Sequence, residues 1–381
     1  MLSRPSKLPH VGTTIFTVMS KLAAEQGALN LGQGFPGFPM DHRLCDLVHE
    51  QMRANRNQYA PMPGVPELRA LLAKKMEAAY GYHYDSDSEI TITAGGTQAI
   101  FTIITALVHP GDEVISFAPA YDCYAPAVEL QGATMKWINL NYPDYRVDWT
   151  AVRNQITPRT RMVIINSPHN PTGMCMTAED MHELQIIAEE YDLLVLSDEV
   201  YEHIVFDGGR HESVARYPQL AKRSLVVYSF GKTFHNTGWK MGYVCAPAEL
   251  TTEVRKVHQY NVFSVNTPVQ YALADYMSDA ATYSGILEMY EAKRDIFNHA
   301  LQGSRFGLKP AAGTYFQLLD YSAISNENDI DFAKRLTREY KITGIPCSVF
   351  FPDLQDDKVL RFCFAKENDE LLRAAEILQS I

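Results

Sequence analysis

The sequence predicts an α/β protein: a mostly parallel central sheet sandwiched by helices, plus a smaller α+β domain. Three observations carry that expectation. Between Glu89 and Pro247 short apolar runs alternate with helix-like segments, and strands separated by helices need crossover connections, which produce parallel pairs covered on both faces. After about Ser284 the alternation gives way to a different mixture of strands and helices with apolar faces of its own. The chain has 381 residues, 46% of them hydrophobic and 21% charged, ordinary values for a globular protein with two or so domains.

In chain order, "EITITA", "EVISFA", "MKWINL", "RMVIIN", "LLVLSDEV", "SLVVYSF" and "GYVCAP" are strand-like, rich in Val, Ile and aromatic residues. One intervening helix is well marked. "TAEDMHELQIIAEEYDL" begins at a capping threonine, Thr177, and puts Met181, Leu184, Ile187 and Ala188 on one stripe. The second pattern comprises "GTYFQLLDY", "DFAKRLTREYKI", "CSVF", "KVLRFCFA" and a final helix "NDELLRAAEILQSI". The expected organisation is an N-terminal segment over 1–45 that joins the small domain, a large domain over 46–283 and the small C-terminal domain over 284–381. No internal repeat or low-complexity stretch interrupts it.

A formal charge of −11 and a pI of about 5.6 argue against sequence-independent binding of nucleic acid or an anionic membrane surface, both of which need clustered Lys and Arg. Small molecules are the expected partners. The six cysteines form no C-x-x-C pair and no H-E-x-x-H is present, so they read as reduced thiols of a cytoplasmic protein and not as a metal site. Pro5, Pro9 and Gly12 interrupt the basic N-terminus, no apolar segment of secretory length follows, and no run is long enough to span a membrane.

Parallel sheets bind ligands at the carboxyl ends of their strands, and four such ends carry polar groups. "EITITAGGTQAI" turns into a helix through Gly95-Gly96-Thr97, where small residues leave the first-turn N–H groups open to an anion. "INSPHNPTG" ends a strand at Asn166 and continues into Asn170-Pro171. "LLVLSDEVYEHIVF" delivers Asp198, with Tyr201 three positions on; a carboxylate at the mouth of a buried strand needs a positive partner. "SLVVYSF" delivers Ser229 and then Lys232. Gly231-Lys232-Thr233 looks like the end of a nucleotide-binding loop, but the glycine that loop requires five positions earlier is Val226. "GQGFPG", from Gly32 to Gly37, formally matches a dinucleotide fingerprint, yet Pro36 and Pro39 cannot continue into the helix that would bind pyrophosphate.

A lysine, an aspartate, an asparagine, a tyrosine and an anion-binding turn at one sheet edge suit pyridoxal 5′-phosphate. Lysine can form a Schiff base, a carboxylate can keep the pyridine nitrogen protonated, and Asn and Tyr can hydrogen-bond the phenolic oxygen. Arg361 points to the substrate. In "VLRFCFA" Leu360, Phe362 and Phe364 share one face, leaving Arg361 between Val359 and Cys363 on a face that is hardly polar. A guanidinium there suits a planar anion such as an α-carboxylate; the alternative is a structural ion pair with an internal acid.

Taken in order, "NLGQGFPGFP", "NQYAPMPGVPELR", "NSPHNPTG", "SDEVYEH", "SFGKTFHNTGWKMGY" and "LRFCFAKE" resemble the motifs of fold-type I, aspartate-aminotransferase-like pyridoxal-phosphate enzymes. Within that family the chain is similar to the kynurenine aminotransferase and glutamine transaminase K branch, bacterial methionine aminotransferases included, essentially end to end. The resemblance implies a transaminase with Lys232 as the Schiff-base lysine and acid/base. It implies that Asp198 pairs with the pyridine nitrogen and that Asn170 and Tyr201 hold the phenolic oxygen. Gly96, Thr97 and Gln98 would take the phosphate, with Ser229 and Lys240 beside it, and Tyr121 would stack on the ring. Tyr59 would reach the phosphate of the other subunit of a homodimer, while Gly34, Asn170 and Arg361 would hold the substrate. Many enzymes of this fold have arginine at the position of Lys240; lysine neutralises a phosphate but grips it less directionally. The kynurenine aminotransferase branch shares the lysine.

The segments expected to line the side-chain pocket are "TTIFTVMS", with Ile15 and Phe16, and "HQYNVFSVN", with Tyr260 and Phe263. They contain no arginine for a second carboxylate, which favours methionine and aromatic amino acids over aspartate or glutamate. The same aromatics are equally compatible with packing at a dimer interface. Two other activities remain compatible with the fold: a carbon–sulfur β-lyase, which uses nearly the same site, and a ligand-sensing module, which would need an attached basic DNA-binding domain.

Overall fold

The computed structural model describes residues 5–381. All seven expected strands form and join one sheet. From edge to edge they are Ile90–Thr93, Gly242–Cys245, Ser224–Ser229, Leu194–Asp198, Thr160–Asn166, Glu113–Ala118 and Thr134–Asn139. Gly242–Cys245 runs antiparallel to both neighbours, and the other pairings are parallel. The exception has a local cause. Ser229 pairs with Gly242, so the chain leaves the sheet for only twelve residues, bearing Lys232 and Lys240, and returns beside the strand it left.

Alternation along the strands assigns each side chain to one face. Val163 and Ile165 pack on one side with Val195, Val226 and Tyr228; Met162 and Ile164 pack on the other with Leu196, Leu225 and Val227. Each fully buried Val, Leu or Ile contributes about 1.5–3 kcal/mol, so both faces favour the same register. Helix Ala178–Glu190 covers the first face. Thr177 accepts from the Asp180 N–H while the Asp180 carboxylate accepts from the Thr177 N–H, and Met181, Leu184, Ile187 and Ala188 are the buried residues.

A four-stranded antiparallel sheet, ordered Ile345–Pro346, Val359–Cys363, Phe316–Asp320 and Gly307–Leu308, forms a separate apolar cluster with helices Ile286–Ala300 and Asn368–Gln379. Met19 and Leu31 from the N-terminal segment lie in that cluster, and Leu29–Asn30 pairs in parallel with Ile342–Thr343. Tyr201, Ile204 and Phe206, just after the strand Leu194–Asp198, belong to it too. The chain therefore steps directly from the carboxyl edge of the large sheet into the second core. Among the described residues no helix is long and apolar enough to cross a membrane.

Candidate active site

Strand register gathers the predicted strand ends. Asn166 lies opposite Asp198, Ser229 opposite Gly242, and Gly242 opposite Thr93, which leads into Gly95. Above this edge is a cavity of about 290 Å³, walled on its far side by Gly34, Phe16, Phe316 and Arg361. Twelve predicted residues line it: Phe16, Gly34, Gly96, Thr97, Tyr121, Asn170, Asp198, Tyr201, Ser229, Lys232, Lys240 and Arg361.

Helix Gly96–Leu107 opens toward the cavity after Gly95, whose φ of 85° lies in the left-handed region that favours glycine. No side chain caps the helix, and the N–H groups of Gly96, Thr97 and Gln98 have no acceptor among the described residues. Three orphan donors at a positive helix end form an anion site. Lys240, itself at φ 55°, lies beside Gly95 and has no carboxylate partner among the described residues. The Gln98 side chain turns away: its oxygen accepts from the Ala94 N–H at 2.9 Å and its amide donates to Thr102 Oγ1 at 2.6 Å, so only its backbone N–H faces the site.

Asp198 is buried, and Tyr124 donates to its Oδ2 at 2.6 Å. Burial pushes its carboxyl up to about 6, against the opposing effects of the Tyr124 hydroxyl and the Lys232 ammonium. Asn166 fixes the loop next to it, donating to the Asp198 carbonyl at 2.8 Å and accepting from the Asn170 N–H at 2.8 Å. Lys232 sits on the short helix Phe230–Thr233, with Nζ 2.9 Å from both the Gly34 carbonyl and the Tyr315 hydroxyl. Burial is the main cause that brings its amine down to about 8, and the Arg361 and Lys240 cations add to it.

Arg361 is 1% exposed and has no carboxylate within ion-pair distance among the described residues, so the internal acid considered from sequence is not its partner. Its Nη1 donates to Asn170 Oδ1 at 2.6 Å and its Nη2 to the Gly32 carbonyl at 3.1 Å, while Nε has no partner. Phe316 stacks 4.0 Å from the guanidinium carbon and Phe16 lies at 5.2 Å. Burial lowers the pKa of this group, a cost that a bound carboxylate relieves.

Tyr59 does not line this chain's cavity. It is 80% exposed, with its ring 5.1 Å from that of Phe263. Tyr260, 91% exposed, and Phe263 likewise lie outside the cavity that they were expected to wall. Two residues escaped sequence reasoning. Tyr124 follows Tyr121 by three positions, across the turn that opens helix Tyr124–Glu129, a spacing that could have paired them. Tyr315 had no such local mark, because its partners are 83 and 281 positions away.

The family model for aminotransferases of class I and II matches residues 26–378. The chain is 48% identical to the methionine aminotransferase of Escherichia coli over 377 residues, 99% of this chain and 98% of that protein. It is 35% identical to human kynurenine–oxoglutarate transaminase 3 over 410 residues, 98% and 89% of the respective chains. The solved structure of YbdL from Escherichia coli, reported as identifying a methionine aminotransferase function, superimposes with a TM-score of 0.98 and 48% identity over 100% of both chains. This chain belongs to the class I and II aminotransferases, pyridoxal-phosphate-dependent enzymes that move an amino group between an amino acid and a 2-oxo acid.

Proposed function

We propose that this enzyme takes the amino group of methionine, and of aromatic amino acids, and passes it to a 2-oxo acid. The observation that carries the reading is Arg361: a buried guanidinium with an unpaired Nε, set among Phe16 and Phe316, in a cavity that no other arginine among the described residues lines. One carboxylate has a place there and a second has none. The similarity to a methionine aminotransferase at 48% identity supports the same donor.

The residues present fit pyridoxal 5′-phosphate. The orphan amides of Gly96, Thr97 and Gln98, with Ser229 and Lys240, would hold the phosphate; Asp198 would face the pyridine nitrogen; Asn170 and Tyr201 would face the phenolic oxygen; Tyr121 would lie against the ring. Bound there, the cofactor supplies an aldehyde carbon that accepts the amino group and a conjugated ring that stabilises negative charge at the substrate's α-carbon. Lys232, the residue that would bond it, has an amine near 8, close enough to neutrality for Nζ to take and return the α-proton. Arg361 and Asn170 orient the α-carboxylate, which fixes the α-proton relative to that nitrogen. Asp198, held by Tyr124, presents its carboxylate to a cation in surroundings that strengthen the pair.

The reading extends to the assembly. Tyr59, Tyr260 and Phe263 are exposed aromatics, and Tyr59 packs against Phe263, which supports a homodimer in which Tyr59 completes the partner's phosphate site. We also assign the enzyme to the cytoplasm, with a large domain over 46–283 and a small domain built from 1–45 and 284–381. Steady-state kinetics test the substrate assignment: kcat/KM for methionine is expected to exceed that for aspartate by at least about 100-fold, since an unpaired buried carboxylate costs several kcal/mol. Arg361→Lys should lose about 100-fold for methionine, mainly in KM. Equal rates with aspartate would contradict the reading.

A further inference from the structure

Lys232, Gly34 and Tyr315 come from three parts of the chain: the turn after a central strand of the large sheet, the N-terminal loop, and the residue before the strand Phe316–Asp320 of the small sheet. Their polar atoms form a closed triangle. Lys232 Nζ donates to the Gly34 carbonyl and to the Tyr315 hydroxyl, each at 2.9 Å, and the Tyr315 hydroxyl donates to the same carbonyl at 2.8 Å. Tyr315 is fully buried, and the rings of Tyr201 and Tyr290, at 5.2 and 5.6 Å, fix its own. Its hydroxyl is thus a stationary point against which the amine and the loop are set.

We propose that Tyr315 is a positioning residue that holds the amine of Lys232 when that amine is free, and that the completed triangle tightens the N-terminal loop over the site in that state. The inference rests on the reading of Lys232 as the residue that bonds the cofactor. A free ammonium has three N–H donors and a free amine two, enough for both acceptors. Once the nitrogen is bonded to a carbon of the cofactor by a double bond it keeps at most one N–H, and one side of the triangle is lost. The loop has a second attachment, since the Gly32 carbonyl accepts from Arg361. A third is the Gly37 N–H, which donates to the Ala365 carbonyl at 2.8 Å. The Gly34 carbonyl between them thus accepts two hydrogen bonds while the lysine is free to move protons, and one, from Tyr315, when the lysine is tied. The device would tighten the loop during the proton transfer and loosen it when the amino acid enters, the stage at which Lys232 is tied; the oxo acid would exchange with the lysine free and the loop tight.

Amide hydrogen exchange over residues 32–37 of the cofactor-free protein tests this directly, because Lys232 is then free. Tyr315→Phe should accelerate exchange there about five-fold, the equivalent of one lost hydrogen bond. Lys232→Met, which removes the amine without touching the small sheet, should do the same, and the double variant should be faster than either single one, because the Gly34 carbonyl then accepts from neither side chain. Lys232→Met also keeps the test usable should Tyr315→Phe fold poorly. Exchange within two-fold of wild type in either variant, or a double variant no faster than the single ones, would overturn the latch. Borohydride reduction of the cofactor-loaded protein examines the underlying reading separately. Added mass on a lysine other than Lys232 removes that reading and the latch's role with it, whereas mass on Lys232 with unchanged exchange removes the latch alone.

Discussion

Asp198 and Lys232 line one cavity from adjacent strands of the same sheet edge, and burial moves their proton affinities in opposite directions. Asp198 rises from 3.8 to about 6 and Lys232 falls from 10.5 to about 8. Both shifts disfavour the charged form, so the cofactor-free fold carries a cost that a bound cation or anion relieves. The sign for Asp198 follows from linkage. A carboxyl whose pKa is higher in the folded chain binds its proton more tightly there, so stability is greatest below about 3.8 and falls as pH rises through about 6. For Lys232 the folded state binds the proton less tightly, and the cost fades as pH rises from about 8 toward 10.5. Asp198→Asn should therefore gain about 2–3 kcal/mol relative to wild type between pH 4 and 7 in urea unfolding of the cofactor-free protein, from a shift of about two units. A difference between the two proteins that stays flat across that window would remove burial as the cause. These two residues were legible in the sequence because Asp198 ends a strand and Lys232 follows the end of the next one by three positions. Tyr124 and Tyr315, which hold them, were not, since a hydroxyl's partner is set by how the strands and loops pack.

At the scale of elements, the strands were legible because period and composition agree: Val163 and Ile165 face one core while Met162 and Ile164 face the other. The antiparallel course of Gly242–Cys245 has no such mark, because alternation is the same in either direction; only the short excursion from Ser229 dictates it. Helix Ala178–Glu190 was readable from its cap as well as its stripe. Thr177→Ala removes the side-chain half of that box, leaving the Thr177 N–H on the Asp180 carboxylate, and should cost about 1 kcal/mol of stability in chemical denaturation. No residue of this helix lines the cavity, so kcat and KM should be unchanged. Altered kinetics in that variant would show the helix coupled to the site. The turn Gly95-Gly96-Thr97 illustrates the converse: it suggested an open helix terminus, and three amides and a lysine without partners among the described residues are what the fold provides there.

For the whole molecule, the decisive feature is where two cores meet. The large sheet supplies Asp198, Asn170 and Lys232, and the smaller sheet supplies Arg361, while the N-terminal loop brings Gly34 between them. Composition gave the scale of such an assembly but not the seam; the motif order and the register of the strands did. Tyr59, Tyr260 and Phe263 remain outside the cavity of their own chain, as residues that serve a neighbouring copy would. The central claim is that Lys232 and Arg361 make this cavity a transaminase site for methionine. The most direct measurement is the visible absorption of the cofactor-loaded enzyme beside Lys232→Ala, first with L-methionine and then with a 2-oxo acid. The wild type should lose its visible band with methionine and regain it with the oxo acid, and Lys232→Ala should complete neither change at a measurable rate. A wild-type band that no monocarboxylic amino acid alters, or a Lys232→Ala protein that cycles as the wild type does, would contradict the account.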